Sequence, residues 1–121
     1  MIRIKRIYEK PENPDGLRIL VDRLWPRGIS KEIGSVQVWL KDIAPSEGLR
    51  KWFGHDPARF ADFRAKYFEE LAANEKSDEI LRLCREGDVT LLYSAKDKEN
   101  NNAVVLRQFL EDRLKNGQRS S

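Results

Sequence analysis

Leu17-Arg18-Ile19-Leu20-Val21-Asp22-Arg23-Leu24-Trp25-Pro26-Arg27-Gly28 is the stretch whose reading decides the fold. Its first five residues form a β-rich apolar run, suited to a strand covered on both faces rather than to an edge. The run passes without a spacer into Asp22. Pro26 lacks an amide hydrogen and Gly28 tolerates positive φ, so the chain must leave the sheet and turn there. Upstream, Ile2-Arg3-Ile4-Lys5 alternates apolar and charged side chains, the period of a half-buried strand that ends near Tyr8. Lys10 to Gly16 carries two prolines and an Asp-Gly pair and reads as an exposed loop.

Downstream, Val36 to Leu40 reads as a shorter strand, and Pro45-Ser46-Glu47 opens a short helix with Ser46 as its cap and Gly54 just past its end. Asp56-Pro57 starts the clearest helix, from Pro57 to Ala73, because Phe60, Phe63, Tyr67 and Leu71 recur at helical spacing. A further helix begins at Ser77, with Ile80, Leu81 and Cys84 inward and Gly87 as terminator. Val89-Thr90-Leu91-Leu92-Tyr93 is a second buried strand. A polar loop from Ser94 to Asn101 leads into the last helix, from Asn102 to about Lys115, which Asn116-Gly117 should stop. Apolar strands alternating with amphipathic helices predict a single α/β domain over 1–115, a three-layer sandwich with a mostly parallel sheet flanked by helices, and a frayed tail over 116–121.

Composition narrows the chemistry. The 121 residues are enough for one core, and charged residues make up 36% against 40% hydrophobic. One cysteine and one histidine exclude an internal disulfide and an ordinary zinc site, so neither metal nor cofactor is expected. No apolar run reaches the ~18 residues of a membrane helix, and the charged N-terminus is unlike a signal peptide, which points to a cytoplasmic protein with no membrane partner. The net charge is +3, concentrated in the first sixty residues, but acids are interleaved throughout. A nucleic-acid domain would show a denser basic stripe.

Ligands of parallel sheets sit beyond the carboxyl ends of the strands, beside helix N-termini. Two segments leave apolar strands here, Asp22 to Gly28 and Ser94 to Asn102, and the two-faced burial of both strands predicts that these loops lie side by side. In the first, Arg23 and Arg27 offer bidentate forks for carboxylate or phosphate and Trp25 offers a stacking face. The competing reading is an Asp22–Arg23 salt bridge locking the turn, with Trp25 in the core. In the second, Tyr93, Ser94, Lys96 and Asn102 surround a helix start whose amides would attract an anion, unless Asn102 is simply the helix cap. The glycines of a nucleotide-triphosphate loop are missing. His55 and Asp22 are the candidates for a general acid or base, His55 being equally readable as packing at the entry of the Pro57 helix. Cys84, on an apolar face, reads as an inert buried thiol.

Three motifs in order, Leu20-Val21-Asp22-Arg23-Leu24-Trp25-Pro26-Arg27-Gly28, Trp52-Phe53-Gly54-His55-Asp56 and Thr90 to Lys96 followed by Ala103-Val104-Val105-Leu106, resemble the YeaO-like branch of the bacterial domain of unknown function 488 family. The likeness runs from about Ile2 to Leu114. It implies a small cytoplasmic α/β protein and brings no reaction with it. Relatives often have histidine where this chain has Asn102, so any role of an imidazole there fails for this sequence. The favoured expectation is a protein that binds an anionic small molecule (a phosphate, a nucleotide derivative or a carboxylate) at the strand ends, whether or not it turns the ligand over. The alternatives are a nucleic-acid-associated protein using the basic N-terminal half and a partner-binding module. The sequence sets no oligomeric state.

Overall fold

A computed structural model of the protein describes residues 1–119. Four strands, β1 (Ile2–Arg6), β2 (Leu17–Leu20), β3 (Val38–Trp39) and β4 (Val89–Tyr93), form one sheet in the order β1-β4-β2-β3. Every pairing is parallel, so the sheet is wholly rather than mostly parallel. β4 is central: its five residues pair with Ile2 to Arg6 on one side, and Val89 to Leu92 pair with Leu17 to Leu20 on the other. All five are buried, as a two-faced apolar strand requires.

The helices are α1 (Lys31–Gly34), α2 (Glu47–Phe53), α3 (Phe60–Ala72), α4 (Lys76–Glu86) and α5 (Asn102–Arg119). The cap expectations for α2 hold: the Ser46 hydroxyl accepts from the Leu49 N–H, and Gly54 closes the helix in the left-handed conformation at φ 55°. The Asp56 side chain accepts from the Ala58 N–H, but the first turn, Pro57–Arg59, is 3-10 rather than α. Phe63, Tyr67 and Leu71 face inward at their helical spacing.

Several boundaries differ from expectation. β1 stops at Arg6 instead of Tyr8, and α1 appears between Gly28 and Val36, where no element was expected. Ser77 lies inside α4, where its hydroxyl donates to the Leu71 carbonyl, while the Asn74 side chain receives the Lys76 N–H at the helix start. α5 continues past Asn116-Gly117 to Arg119, so the local stop signal there is overridden. The remainder of the expected frayed tail, Ser120-Ser121, lies outside the described residues. Among the described residues, no helix is long and apolar enough to cross a membrane.

The two outer layers are unequal. One face of the sheet (Ile19, Val21, Val89, Leu91 and Tyr93) joins Phe63, Tyr67, Ile80, Leu106 and Leu110 in the main core under the helices. On the opposite face Leu20 and Leu92 form a small cluster with Ile7, covered by Trp25, Ile29 and Val36. Alongside it sits a buried polar group: the Arg18 guanidinium donates to the Asp15 carboxylate at 2.5 Å and to the Gly34 carbonyl, and Lys5 approaches the other Asp15 oxygen at 2.8 Å. The Thr90 hydroxyl donates to the Asp15 carbonyl. Gly16 lets this turn close. At φ 63° it takes a conformation that side chains rarely adopt, and a Cβ there would stand 2.2 Å from the Asp88 carbonyl oxygen.

Candidate functional site

The strand order brings the two loops together. The Asp22 carboxylate, one residue past the buried Val21, is the joint: one oxygen accepts from both the Ser94 N–H at 2.9 Å and the Ser94 hydroxyl at 2.8 Å. The other accepts from the Asn102 side-chain amide at 3.1 Å, which also reaches the Val21 carbonyl. Asp22 thus ties the end of β2, the end of β4 and the start of α5 together, and it is not the salt-bridge partner expected for Arg23. Trp39 at the end of β3 donates its indole N–H to the Asp22 carbonyl, and Arg6 at the end of β1 donates to the Ser94 and Ala95 carbonyls. Each strand of the sheet therefore contributes to fixing this junction.

Beside the junction lies a cavity of about 150 Å³. Its polar wall is made of Asp22, Arg23, Arg50, His55, Ser94, Asn101 and Asn102, and its apolar wall of Leu24, Ala44, Pro45, Phe53, Phe63 and Ala95. Phe53 and Phe63 stack at 4.3 Å between ring centroids. Arg23 is held by one terminal nitrogen, which donates to the Pro45 carbonyl at 3.3 Å and the Ala44 carbonyl at 3.5 Å. Its Nε is buried with no hydrogen-bond partner, and among the described residues no carboxylate lies within ion-pair distance of it. A buried guanidinium N–H without an acceptor is costly.

His55 borders the cavity in the left-handed region at φ 57°, directly after Gly54 at φ 55°. Two successive left-handed residues turn the chain sharply from α2 toward α3 and hold the imidazole at the rim, 6.2 Å from the Phe53 ring. A non-glycine residue there carries roughly 1–2 kcal/mol of strain.

Of the residues singled out from sequence, the fold gathers Asp22, Arg23, His55, Ser94 and Asn102 around one cavity. Trp25, Arg27, Tyr93 and Lys96 lie elsewhere. Trp25 packs over the small cluster on the far face, edge-on to Trp39 at 5.3 Å, with its indole N–H on the Ile29 carbonyl. Arg27 is exposed, and its backbone carbonyl accepts the Tyr8 hydroxyl. Tyr93 belongs to the main core, where burial raises the pKa of its hydroxyl. Lys96 is exposed. Burial pushes the Cys84 thiol up to about 11, in keeping with an inert side chain.

Asn102 is not the helix cap. Asn101 is, since its side-chain oxygen accepts the Val104 N–H, and this leaves the Asn102 amide free to hold Asp22. Three consecutive asparagines made the choice invisible from local sequence. Arg50, Phe53 and Asn101 went unforeseen as lining residues. The usable signal was that Arg50 and Phe53 stand on the same short helix as the Trp52-Phe53-Gly54-His55 motif. Among the described residues, no group of three or more His, Cys, Asp or Glu side chains is placed to hold a metal ion.

Comparison with known proteins agrees with the three sequence motifs. The uncharacterized protein YeaO of Escherichia coli is 46% identical over 110 residues, which cover 90% of this chain and 96% of YeaO. Uncharacterized proteins of Mycobacterium tuberculosis and Mycobacterium bovis are each 40% identical over 112 residues, 93% of this chain and 95% of theirs. No solved structure matches the chain. The family model for the inactive DUF488-N3 subclade matches residues 1–121, and the chain belongs to that family.

Proposed function

We propose that this protein is a binding domain for a small anionic molecule, held in the cavity beside the Asp22 junction and not chemically changed there. The observation that carries the reading is Arg23, whose guanidinium lies in the wall of a cavity with no carboxylate in ion-pair distance among the described residues. A carboxylate or phosphate oxygen is the acceptor such a donor takes most strongly. Arg50 adds a second positive charge, and the strained His55 holds the rim, the kind of strain that gathers at binding sites.

Two features favour binding over turnover. Asp22, the obvious base, has both oxygens occupied by donors that tie the loops together. The family's own description is of an inactive subclade. The cavity also lies below the ~300–1,000 Å³ usual for drug-sized ligands, which argues for a ligand smaller than a nucleotide.

The test is thermal unfolding of the wild type and of Arg23→Gln with inorganic phosphate, acetate and benzoate at neutral pH. At least one anion should raise the wild-type midpoint in a dose-dependent way, leave the variant unmoved and be recovered unchanged after incubation. No stabilisation by any of the three at millimolar concentration would refute the reading.

A further inference from the structure

Resting on that reading, the geometry points to one class of anion: we infer that the preferred ligand is a monocarboxylate with a compact apolar body, and not a phosphate. The argument begins with backbone donors. Phosphate sites at strand ends cradle the anion with several main-chain N–H groups at a helix start. Here four of the main-chain donors around the junction are already committed. The Ser94 N–H is given to Asp22, the Val104 N–H of α5 to Asn101, and in the loop between them the Glu99 and Asn100 N–H groups to the Asp97 side chain.

The charged side chains of the cavity wall carry a small net charge. Arg23 and Arg50 are positive and Asp22 is negative, so these three groups together carry a charge of +1. That balances one negative charge. A phosphate dianion would leave one negative charge unbalanced, in a site partly closed to water where screening is weak.

The other half of the cavity asks for an apolar group. Phe53, Phe63, Leu24, Ala44, Pro45 and Ala95 offer no donor or acceptor from their side chains. A space of about 150 Å³ is on the scale at which an apolar hole in a protein accepts a benzene ring. A carboxylate paired with the Arg23 guanidinium would set its ring or branched alkyl body along the stacked Phe53 and Phe63. Short aromatic or branched aliphatic acids have this shape.

Isothermal titration of the wild type with benzoate, its neutral isostere benzamide and inorganic phosphate tests the inference. Benzoate should bind at least about tenfold more tightly than either of the others, the factor expected from a hydrogen bond to a charged group. Arg23→Gln should lose that margin. The wild-type comparison decides the matter even where the variant does not fold. Phosphate binding in preference to benzoate would overturn this inference and leave the anion-site reading standing. Equal binding of benzamide and benzoate, or undiminished benzoate binding by Arg23→Gln, would overturn it through the charge. Failure of every anion would remove both.

Discussion

The two faces of the sheet are held by different physics. Under the helices, Ile19, Val21, Leu91 and Tyr93 meet an apolar core with aromatic rings stacked along it. There the driving force is area removed from water, about 25 cal/mol per Å². On the opposite face three apolar side chains form a small cluster, and an ion group made of Asp15 at 2% exposure, Arg18 at 3% and Lys5 closes the layer. That side depends on every charge finding its partner. An apolar layer loses stability in proportion to what is cut away. A buried ionic layer tolerates joint replacement but not the loss of one member.

The largest effect should come from the apolar side. Phe63→Ala empties a site 1% exposed and stacked on Phe53, and should cost about 3–5 kcal/mol in chemical unfolding. A loss under about 1 kcal/mol would break the comparison, because the helix face would then not be the principal core.

Asp15→Ala should follow at about 3 kcal/mol, because it leaves the Arg18 guanidinium buried without its carboxylate. Asp15→Leu combined with Arg18→Met should recover most of that loss. The single penalty should also depend on pH. Desolvation pushes the Asp15 carboxyl up, but Lys5, the Glu12 backbone N–H and Arg18 together hold it below its ordinary value of 3.8. A carboxyl with a lowered folded pKa contributes stability above its unfolded pKa and loses it as the pH falls through the folded one. Wild type and Asp15→Ala should therefore converge on acidification below about pH 4, and parallel curves there would show that Asp15 acts through packing alone.

The smallest effect sharpens the comparison at its edge. Arg27→Ala should change stability by less than about 0.5 kcal/mol, since only the backbone carbonyl of that residue supports the thin layer, by receiving the Tyr8 hydroxyl. A larger loss in thermal unfolding would mean that the guanidinium itself takes part in holding that face.

The sheet and the meeting of the two loops were legible because both depend on patterns local in sequence. Leu17 to Val21 and Val89 to Tyr93 each read as covered on both faces, and two such strands in one small sheet belong at its middle. The ionic layer was hidden for a different reason. Arg18 is a charge inside an apolar run, and that anomaly was the available signal, but its partner sits three residues away in a turn read as exposed. Which face receives Trp25, just before Pro26, is decided by tertiary packing, and so is the approach of Arg50 and Phe53 from α2 to the strand ends. Arg6 gave no sign at all, since its role is to hold a loop 88 residues away.

The order of the strands also constrains how the chain is made. β1 and β2 are complete by residue 20, yet they do not touch each other, and β4, which ends at residue 93, must come between them. At a synthesis rate of roughly 5–20 residues per second, roughly 4–15 s separate the emergence of β2 from that of its central neighbour. The hairpins that settle many small sheets early are excluded by parallel pairing, so the slow closure of long loops governs the folding rate. For those seconds the nascent N-terminal segment carries one apolar and one half-apolar strand with unsatisfied edges, which makes the ribosome-bound chain, more than the finished molecule, the form most in need of a chaperone's shelter.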